Sequence, residues 1–257
     1  MTSYSLNLSG KTAIVTGGSR GIGRAIAEGL AQSGADIAIT ARTESEVRQA
    51  AEEIAQATGR QTLGLVCDVT NRSSIEAAVE RIAEHFGKID ILINNAGTTV
   101  RHSVFELTEE EWDFVVDTNF KSVFLMSQAV GRHMVNRGHG RIVNIASLAA
   151  DLTLSYSTPY GPAKAAVVHL TRQLANEWAQ NGITVNAISP GFVRTDFNSA
   201  ALDNPEFKAK IENMNPMHRV GQLAEIVAPV IFFCTDQASY VTGQNLAVDG
   251  GSTHYGM

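Results

Sequence analysis

The stretch "TAIVTGGSRGIG", residues 12–23, decides the fold. It begins as a short apolar, β-branched run, "TAIVT" (12–16), of the kind that forms a buried strand. Glycines come next at Gly17, Gly21 and Gly23, and the chain then reads as a helix. Without a Cβ, these positions permit a tight turn and close approach of backbone to a pyrophosphate seated on a helix N-terminus. The spacing is G-x-x-x-G-x-G rather than the G-x-G-x-x-G of the standard dinucleotide fingerprint. A plain strand–helix turn is the bland alternative, and the chemistry at the other strand ends decides between them.

Outward from this stretch the pattern alternates. Strand-like runs recur at 36–40 ("DIAIT"), 62–69 ("TLGLVCDV"), 89–94 ("IDILIN"), 141–146 ("RIVNIA"), 183–189 ("ITVNAIS") and 245–249 ("NLAVD"). Helical periods lie between them. In "NRSSIEAAVERIAEHF", Ile75, Ala78, Val79, Ile82 and Phe86 share one stripe, and Val47, Ala50, Ala51 and Ile54 share another. Nearly continuous apolar strands alternating with helices predict a parallel sheet covered on both faces. No linker, repeat or low-complexity segment divides the chain. The reading is one α/β domain over 1–257, a Rossmann-type doubly wound parallel sheet of about seven strands.

Composition narrows the function classes. The 257 residues are 44% hydrophobic and 18% charged, with a formal net charge of -6 and no basic block. Nucleic acid and anionic membrane surfaces are therefore not expected partners. The N-terminus lacks a cationic segment leading into an apolar one, and no long apolar run occurs, so the cytoplasm is the expected location. Cys67 and Cys234 sit in apolar surroundings and read as core residues, not as a disulfide or metal pair. No metal site is expected.

In a doubly wound sheet, ligands bind outside the carboxyl ends of the strands. Those ends carry unusual chemistry here: "GGSRGIG" after the first, Ala41 and Arg42 after the second, and Asp68 at the end of the third. The fourth ends in "NNAG" (94–97), the fifth in Ser147, the sixth in Pro190 and Gly191. The second strand bears on the choice of dinucleotide. An acidic residue there would accept from a ribose 2′-hydroxyl, but the chain has Ala41–Arg42. Arg20 and Arg42 suit a 2′-phosphate, which predicts NADP(H); two solvated surface arginines are the alternative. Asp68 is expected to meet the adenine or to cap the next helix.

"YGPAK" (160–164) opens a helix that then runs apolar. Tyr160 and Lys164 are one turn apart and share a face. A free phenol titrates near ~10, too high for an efficient base at neutral pH. An ammonium ~4 Å away contributes roughly 4 kcal/mol at an effective dielectric of ~20, so Lys164 is expected to pull the phenol down. Pro162 fits a first helical turn and puts Tyr160 near the positive end of the dipole. Ser147 can donate to a substrate oxygen. Asn119 falls midway along a helical stretch at 109–138, where a polar side chain needs a reason.

"TGGSRGIG", "NNAG", Asn119 in "DTNF", Ser147 in "NIAS", "YGPAK", "SPG" and "VDGG", in this order, resemble the short-chain dehydrogenase/reductase family. The resemblance spans essentially the whole chain. It implies an enzyme that interconverts a secondary alcohol and a ketone by hydride transfer with NADP(H). It implies a catalytic tetrad of Asn119, Ser147, Tyr160 and Lys164, in which Asn119 holds a kink and a proton-relay water. Cofactor contacts are implied for Gly17, Ser19, Arg20, Gly21, Ile22, Gly23, Arg42, Asp68, Val69, Asn95, Ala96 and Gly97. Tyr160, Lys164, Pro190, Gly191, Val193 and Thr195 complete that set. A homodimer or homotetramer is also implied.

Within the family, "DNPEF", "LANEWAQNGITVNAISPG" and "NNAG" followed by Arg101 resemble sugar-acid dehydrogenases, gluconate 5-dehydrogenases among them. Substrate contacts are expected from Arg101, Ser147 and Tyr160. Arg101 would meet a carboxylate with His102 as a second donor; pairing with Glu106 is the alternative. The irregular segment 192–220 is expected to form a loop or lid over the substrate. The 3-oxoacyl-[acyl-carrier-protein] reductases and general carbonyl reductases share the same core motifs. The resemblance aligns Asn176 with an arginine that such carrier-dependent reductases often carry. A dinucleotide-binding module without catalysis is a further alternative, disfavoured by the intact tetrad.

Overall fold

A computed structural model of the chain describes residues 6–195 and 198–254. Seven parallel strands form one sheet: β1 (Thr12–Thr16), β2 (Asp36–Ala41), β3 (Thr62–Val66), β4 (Ile91–Asn94), β5 (Gly140–Ile145), β6 (Ile183–Pro190) and β7 (Asn245–Val248). Their spatial order is β3-β2-β1-β4-β5-β6-β7. The helices are α1 (Gly21–Gln32), α2 (Glu44–Thr58), α3 (Arg72–Phe86), α4 (Glu109–Val116), α5 (Ser122–Arg137), α6 (Tyr160–Trp178), α7 (Ser199–Leu202), α8 (Pro205–Asn213) and α9 (Leu223–Cys234). The doubly wound α/β architecture expected from the alternation is the one observed.

Period-two alternation along the central strands feeds two apolar layers. Val15, Ile37, Ile39, Ile93 and Val143 face one way, onto Ile26 and Leu30 of α1, Ile54 of α2 and Val230 of α9. Ile14, Leu92, Ile142 and Val185 face the other way, onto Ile75, Val79 and Ile82 of α3 and Met126, Val130 and Met134 of α5. Cys67 and Cys234 are free and buried within these layers. Helices α2, α3 and α5 each end on a left-handed glycine, Gly59, Gly87 and Gly138, where the absent Cβ removes the penalty for φ near +70°.

The third strand is shorter than its apolar pattern predicts. It ends at Val66, not at 69, after which Cys67 donates its backbone N–H to Ala41 O. Asp68 then turns the chain: its carboxylate accepts from the backbone N–H and the hydroxyl of Thr70 at 2.9 and 2.7 Å. Burial of Cys67 and Val69 continues past the strand, so hydrophobicity alone cannot mark the exit. The cap of α3 is Asn71, which accepts from the Ser74 N–H at 3.0 Å, so the helix-cap alternative for Asp68 is corrected.

Strand order reverses between β1 and β4, which makes the crevice beyond their carboxyl ends the topological switch point. The remaining pieces of the site are built around that crevice.

Candidate active site

At the switch point β1 and β4 are tied by one hydroxyl. Thr16 Oγ1 accepts from the backbone N–H groups of Asn95 (2.9 Å) and Ala96 (3.0 Å) and donates to Ile93 O (3.3 Å). Asn95 returns the contact, its Nδ2 donating to Thr16 O at 2.9 Å and Gly17 O at 3.2 Å. Gly17 and Gly21 hold φ of 63° and 58°. Gly23 is a matter of space, because a Cβ there would overlap both the Asn95 amide and the Gly17 carbonyl. The result is a bare backbone cradle leading into α1. That helix has no side-chain cap and no acidic residue in its first turn. Its leading N–H groups and dipole therefore face the crevice unoccupied by side chains, which fits a dinucleotide pyrophosphate.

Ala41 ends β2, and Arg20 and Arg42 are exposed on the rim of the same crevice. Among the described residues neither arginine forms an ion pair. Asp68 and Val69 line the crevice from the end of β3, and Pro190, Gly191, Val193 and Thr195 line it from the end of β6.

The chemical end lies where β5 and α6 meet. Ser147 follows β5 as the cap of a short 3-10 turn, its Oγ accepting from the Ala149 N–H at 3.1 Å. Tyr160 is the first residue of α6, and Lys164 stands one turn later with its Nζ 5.6 Å from the centre of the Tyr160 ring. The ammonium donates to Ile145 O at 2.8 Å. Burial pushes the Lys164 ammonium down to about 8. Burial likewise pushes the Tyr160 phenol up, opposed by a hydrogen bond with Ser147. The expected depression of the phenol by Lys164 is therefore corrected. The low-polarity surroundings disfavour the phenolate, and the ammonium is directed at a backbone carbonyl. Tyr160 remains partly accessible because one side of it opens on the crevice.

Asn119 is fully buried, in a π-turn (Asp117–Lys121) between α4 and α5. Its Nδ2 donates to Val115 O (2.8 Å) and Thr98 O (2.7 Å), and its Oδ1 accepts from the Thr98 N–H at 3.3 Å. Those bonds clamp the segment after β4 against the widened helix. A Cβ on Gly97 would lie 2.8 Å from Asn119 Oδ1 and 3.6 Å from Lys164 Nζ, so Asn119, Gly97 and Lys164 are stacked in direct succession. The kink is a π-turn, a feature common at functional sites, and residue type gives no sign of the extra residue it accommodates.

The four residues of the expected tetrad and those expected at the cofactor line one cleft of about 470 Å³. Arg101 borders it too. Its expected neighbours are engaged elsewhere: the Glu106 carboxylate accepts from Ser103 N–H and Oγ, and His102 Nδ1 faces Glu111 at 2.9 Å. The Arg101–Glu106 pair is corrected, and His102 is not among the residues that line the cleft. Arg101 is left exposed at the cleft with no carboxylate partner among the described residues.

The segment at 192–220 carries α7 and α8 along the cleft, with Phe192, Leu202 and Phe207 on its wall. Asn204 caps α8, accepting from Glu206 and Phe207 N–H groups, and Pro205 supplies the first turn. Asp196, expected to lie in this segment, and Phe197 fall outside the described residues.

A family profile described as "Enoyl-(Acyl carrier protein) reductase" matches residues 17–253. A short-chain type dehydrogenase/reductase of Mycobacterium marinum superposes with a TM-score of 0.92 at 35% identity, over 97% of this chain and 98% of that one. The chain belongs to the short-chain dehydrogenase/reductase family. It is an oxidoreductase working between CH–OH and keto groups. As a short-chain dehydrogenase/reductase it resembles two substrate groups at similar distance. It is 42% identical to the 3-oxoacyl-[acyl-carrier-protein] reductase of Escherichia coli over 246 residues, 96% of this chain and 98% of that protein. It is 36% identical to the gluconate 5-dehydrogenase of Burkholderia cenocepacia, solved with NADP and tartrate. That superposition has a TM-score of 0.94 and covers 98% of each chain.

Some parts of this short-chain dehydrogenase/reductase site carry no clear mark in the sequence. Thr16 reads there only as a strand residue, although a hydroxyl directly before the glycine turn is a signal worth testing. Leu154, Leu202 and Phe207, which add apolar wall, lie in segments without regular periodicity, and Phe114 belongs to the helical stretch at 109–138 without standing out from it. No described helix is long and apolar enough to cross a membrane.

Proposed function

We propose that the protein interconverts a secondary alcohol and a ketone on a small carboxylate-bearing polyol, a sugar acid such as gluconate, with NADP(H). The observation that carries the substrate class is Arg101, an exposed guanidinium at the cleft whose neighbouring acids are already engaged. A guanidinium fork matches a carboxylate bidentately. The gluconate 5-dehydrogenase relative, crystallised with the hydroxy acid tartrate, supports the same class.

When bound, the nicotinamide supplies or receives the hydride. The glycine cradle and the open start of α1 hold the pyrophosphate. Arg20 and Arg42, with Ala41 in place of an acid, favour the 2′-phosphate of NADP. Ser147 donates to the substrate oxygen and fixes it beside Tyr160. In reduction the Tyr160 phenol gives its proton to the carbonyl oxygen as the carbon receives hydride; in oxidation the phenolate takes the proton back. Lys164 holds positive charge next to the phenol, and Asn119 fixes the backbone of Gly97 and Thr98 against it. The segment at 192–220 covers the substrate as a lid.

The apolar wall of Phe192, Leu202 and Phe207 favours a second reading, reduction of a 3-oxoacyl thioester. Exposed Phe124 and Val135 on α5 fit self-association, and free buried cysteines fit a reducing compartment. Consumption of NADPH with 5-ketogluconate, acetoacetyl thioesters and neutral ketones separates the readings. Highest kcat/KM on the keto acid supports the proposal; highest kcat/KM on the thioester replaces it.

A further inference from the structure

The lid leaves the body after β6 and rejoins it before α9. Among the described residues its base is a bridge between Val193 and Gly221, closed by Gly221 N–H donating to Phe192 O at 2.9 Å. Beyond that base, the described side-chain tethers to the body include those of Arg219 and Asn215. The Arg219 pair with Glu225 is exposed and open to screening by water and salt. Asn215 is different: it is 8% exposed and uses both halves of its amide.

Asn215 Nδ2 donates to Asp249 O at 2.7 Å and to Ser252 Oγ at 3.2 Å. Its Oδ1 accepts from Met217 N–H at 2.7 Å, and its own carbonyl accepts from His218 N–H at 2.8 Å. The sequence "NPMH" (215–218) is thus a tight turn with Asn first and Pro second, a pairing that favours turns. The turn ends on His218 at φ 49°, left-handed backbone that a non-glycine residue seldom adopts, so surrounding contacts must hold it. The turn begins two residues after α8, the helix that carries Phe207 to the cleft.

The receiving surface is shaped to fit. Gly250 and Gly251 have φ of 65° and 89°. A Cβ on Gly250 would stand 2.5 Å from Asn215 Nδ2, and one on Gly251 would stand 3.1 Å from Pro216 Cγ. The Asp249 carboxylate accepts from Gly251 and Thr253 N–H groups at 2.9 and 2.7 Å, which fixes the turn that presents its carbonyl. On its other side Asp249 abuts Gly191, where a Cβ would lie 2.7 Å from Asp249 Cα. Gly191 borders the cleft, and the next residue, Phe192, packs edge-on against Phe207 with ring centres 6.5 Å apart.

We infer that Asn215 is a positioning residue for substrate: its carboxamide latches the lid to the Asp249–Ser252 turn and so sets Leu202 and Phe207 over the reacting end of the cleft. This rests on the reading of 192–220 as the substrate cover. Asn215 is not among the residues that line the cleft. It acts through α8, and its nitrogen is the half that matters, because that half alone crosses from lid to body.

Asn215→Asp separates the roles, since a carboxylate still accepts from Met217 but cannot donate to Asp249. Gly250→Ala attacks the same latch from the other side. The full-length enzyme is assayed for KM and kcat with its best keto substrate, for NADPH affinity by fluorescence, and for the rate of proteolytic cleavage within 194–220. Each variant should raise KM about tenfold, the effect of one lost buried hydrogen bond, with kcat and NADPH affinity little changed and lid cleavage accelerated. Because both disrupt one contact, the double variant should add little to either single variant. Unchanged KM and unchanged lid cleavage in folded variants overturn the latch. Faster lid cleavage with unchanged KM shows a latch on a lid that does not cover substrate, which overturns the positioning role through failure of the underlying reading. A loss of Tm and NADPH affinity without a KM effect reduces Asn215 to a structural residue.

Discussion

The ammonium of Lys164 lies 5.6 Å from the centre of the Tyr160 ring while donating to Ile145 O at 2.8 Å. The two groups share surroundings that penalise charge, and they respond in opposite directions: the phenol titrates higher than usual and the ammonium lower. At neutral pH this leaves a neutral phenol beside a charged amine. That is the state a proton donor needs for carbonyl reduction.

Burying Lys164 costs stability. Its ammonium titrates at about 8 in the fold against 10.5 in the unfolded chain. Between those values the unfolded chain keeps a proton that the fold has released, so stability rises with pH across that window. Below about pH 8 the cost is present in full, roughly 3 kcal/mol by this linkage. Lys164→Met removes the titration. Urea unfolding should show wild type gaining about 3 kcal/mol relative to Lys164→Met between neutral pH and about pH 10.5. Parallel stability curves would mean that the ammonium is solvated.

The same groups set the pH dependence of turnover. Reduction needs protonated Tyr160 and charged Lys164, so its kcat/KM should be level at neutral pH and fall above about pH 8. Oxidation needs the phenolate beside a charged Lys164, so it should fall as pH drops below about 8 and not rise steeply above it. Tyr160→Phe should lower kcat by ~10² or more while NADPH affinity stays near wild type. Retention of more than about a tenth of kcat would remove Tyr160 from proton transfer.

Close packing at the glycine turn makes a separate prediction. A Cβ at residue 23 would meet Asn95 and the Gly17 carbonyl, which together shape the pyrophosphate cradle. Gly23→Ala should weaken NADPH binding by at least about tenfold, equivalent to ~1.4 kcal/mol, as read by fluorescence titration. An unchanged Kd would show that the cradle relaxes at no cost.

Cofactor choice rests on the two rim arginines. Arg42→Ala should raise the KM for NADPH by about tenfold, within the range for one charge-assisted hydrogen bond, with much less effect on NADH. Equal loss with both cofactors would place Arg42 away from the 2′-phosphate.

The sheet is legible in the sequence because its strands are apolar runs and its helices keep their stripes, as Ile75, Val79 and Ile82 do on α3. The end of β3 is not, because Cys67 and Val69 stay buried after the backbone has left the ladder. Ser147, Tyr160, Lys164 and Asn119 stand out as polar residues at strand ends or within helices. Their electrostatics do not, since the direction in which Tyr160 titrates depends on burial and on where the Lys164 ammonium points. The π-turn at Asn119 and the latch at Asn215 depend on backbone geometry that residue type does not encode. The surroundings of Arg101 are equally hidden: only the folded loop shows His102 facing Glu111 and Glu106 facing Ser103.

The substrate class turns on Arg101, and the direct measurement is kcat/KM of Arg101→Ala on two substrates of similar size, a keto sugar acid and a neutral ketone. A charge-assisted hydrogen bond is worth ~1.5–3 kcal/mol, or roughly 10- to 100-fold. The account predicts a loss of that size on the keto acid and nearly unchanged turnover of the neutral ketone. Equal losses on both substrates would make Arg101 a structural residue of the loop and contradict the assignment to a carboxylate-bearing substrate.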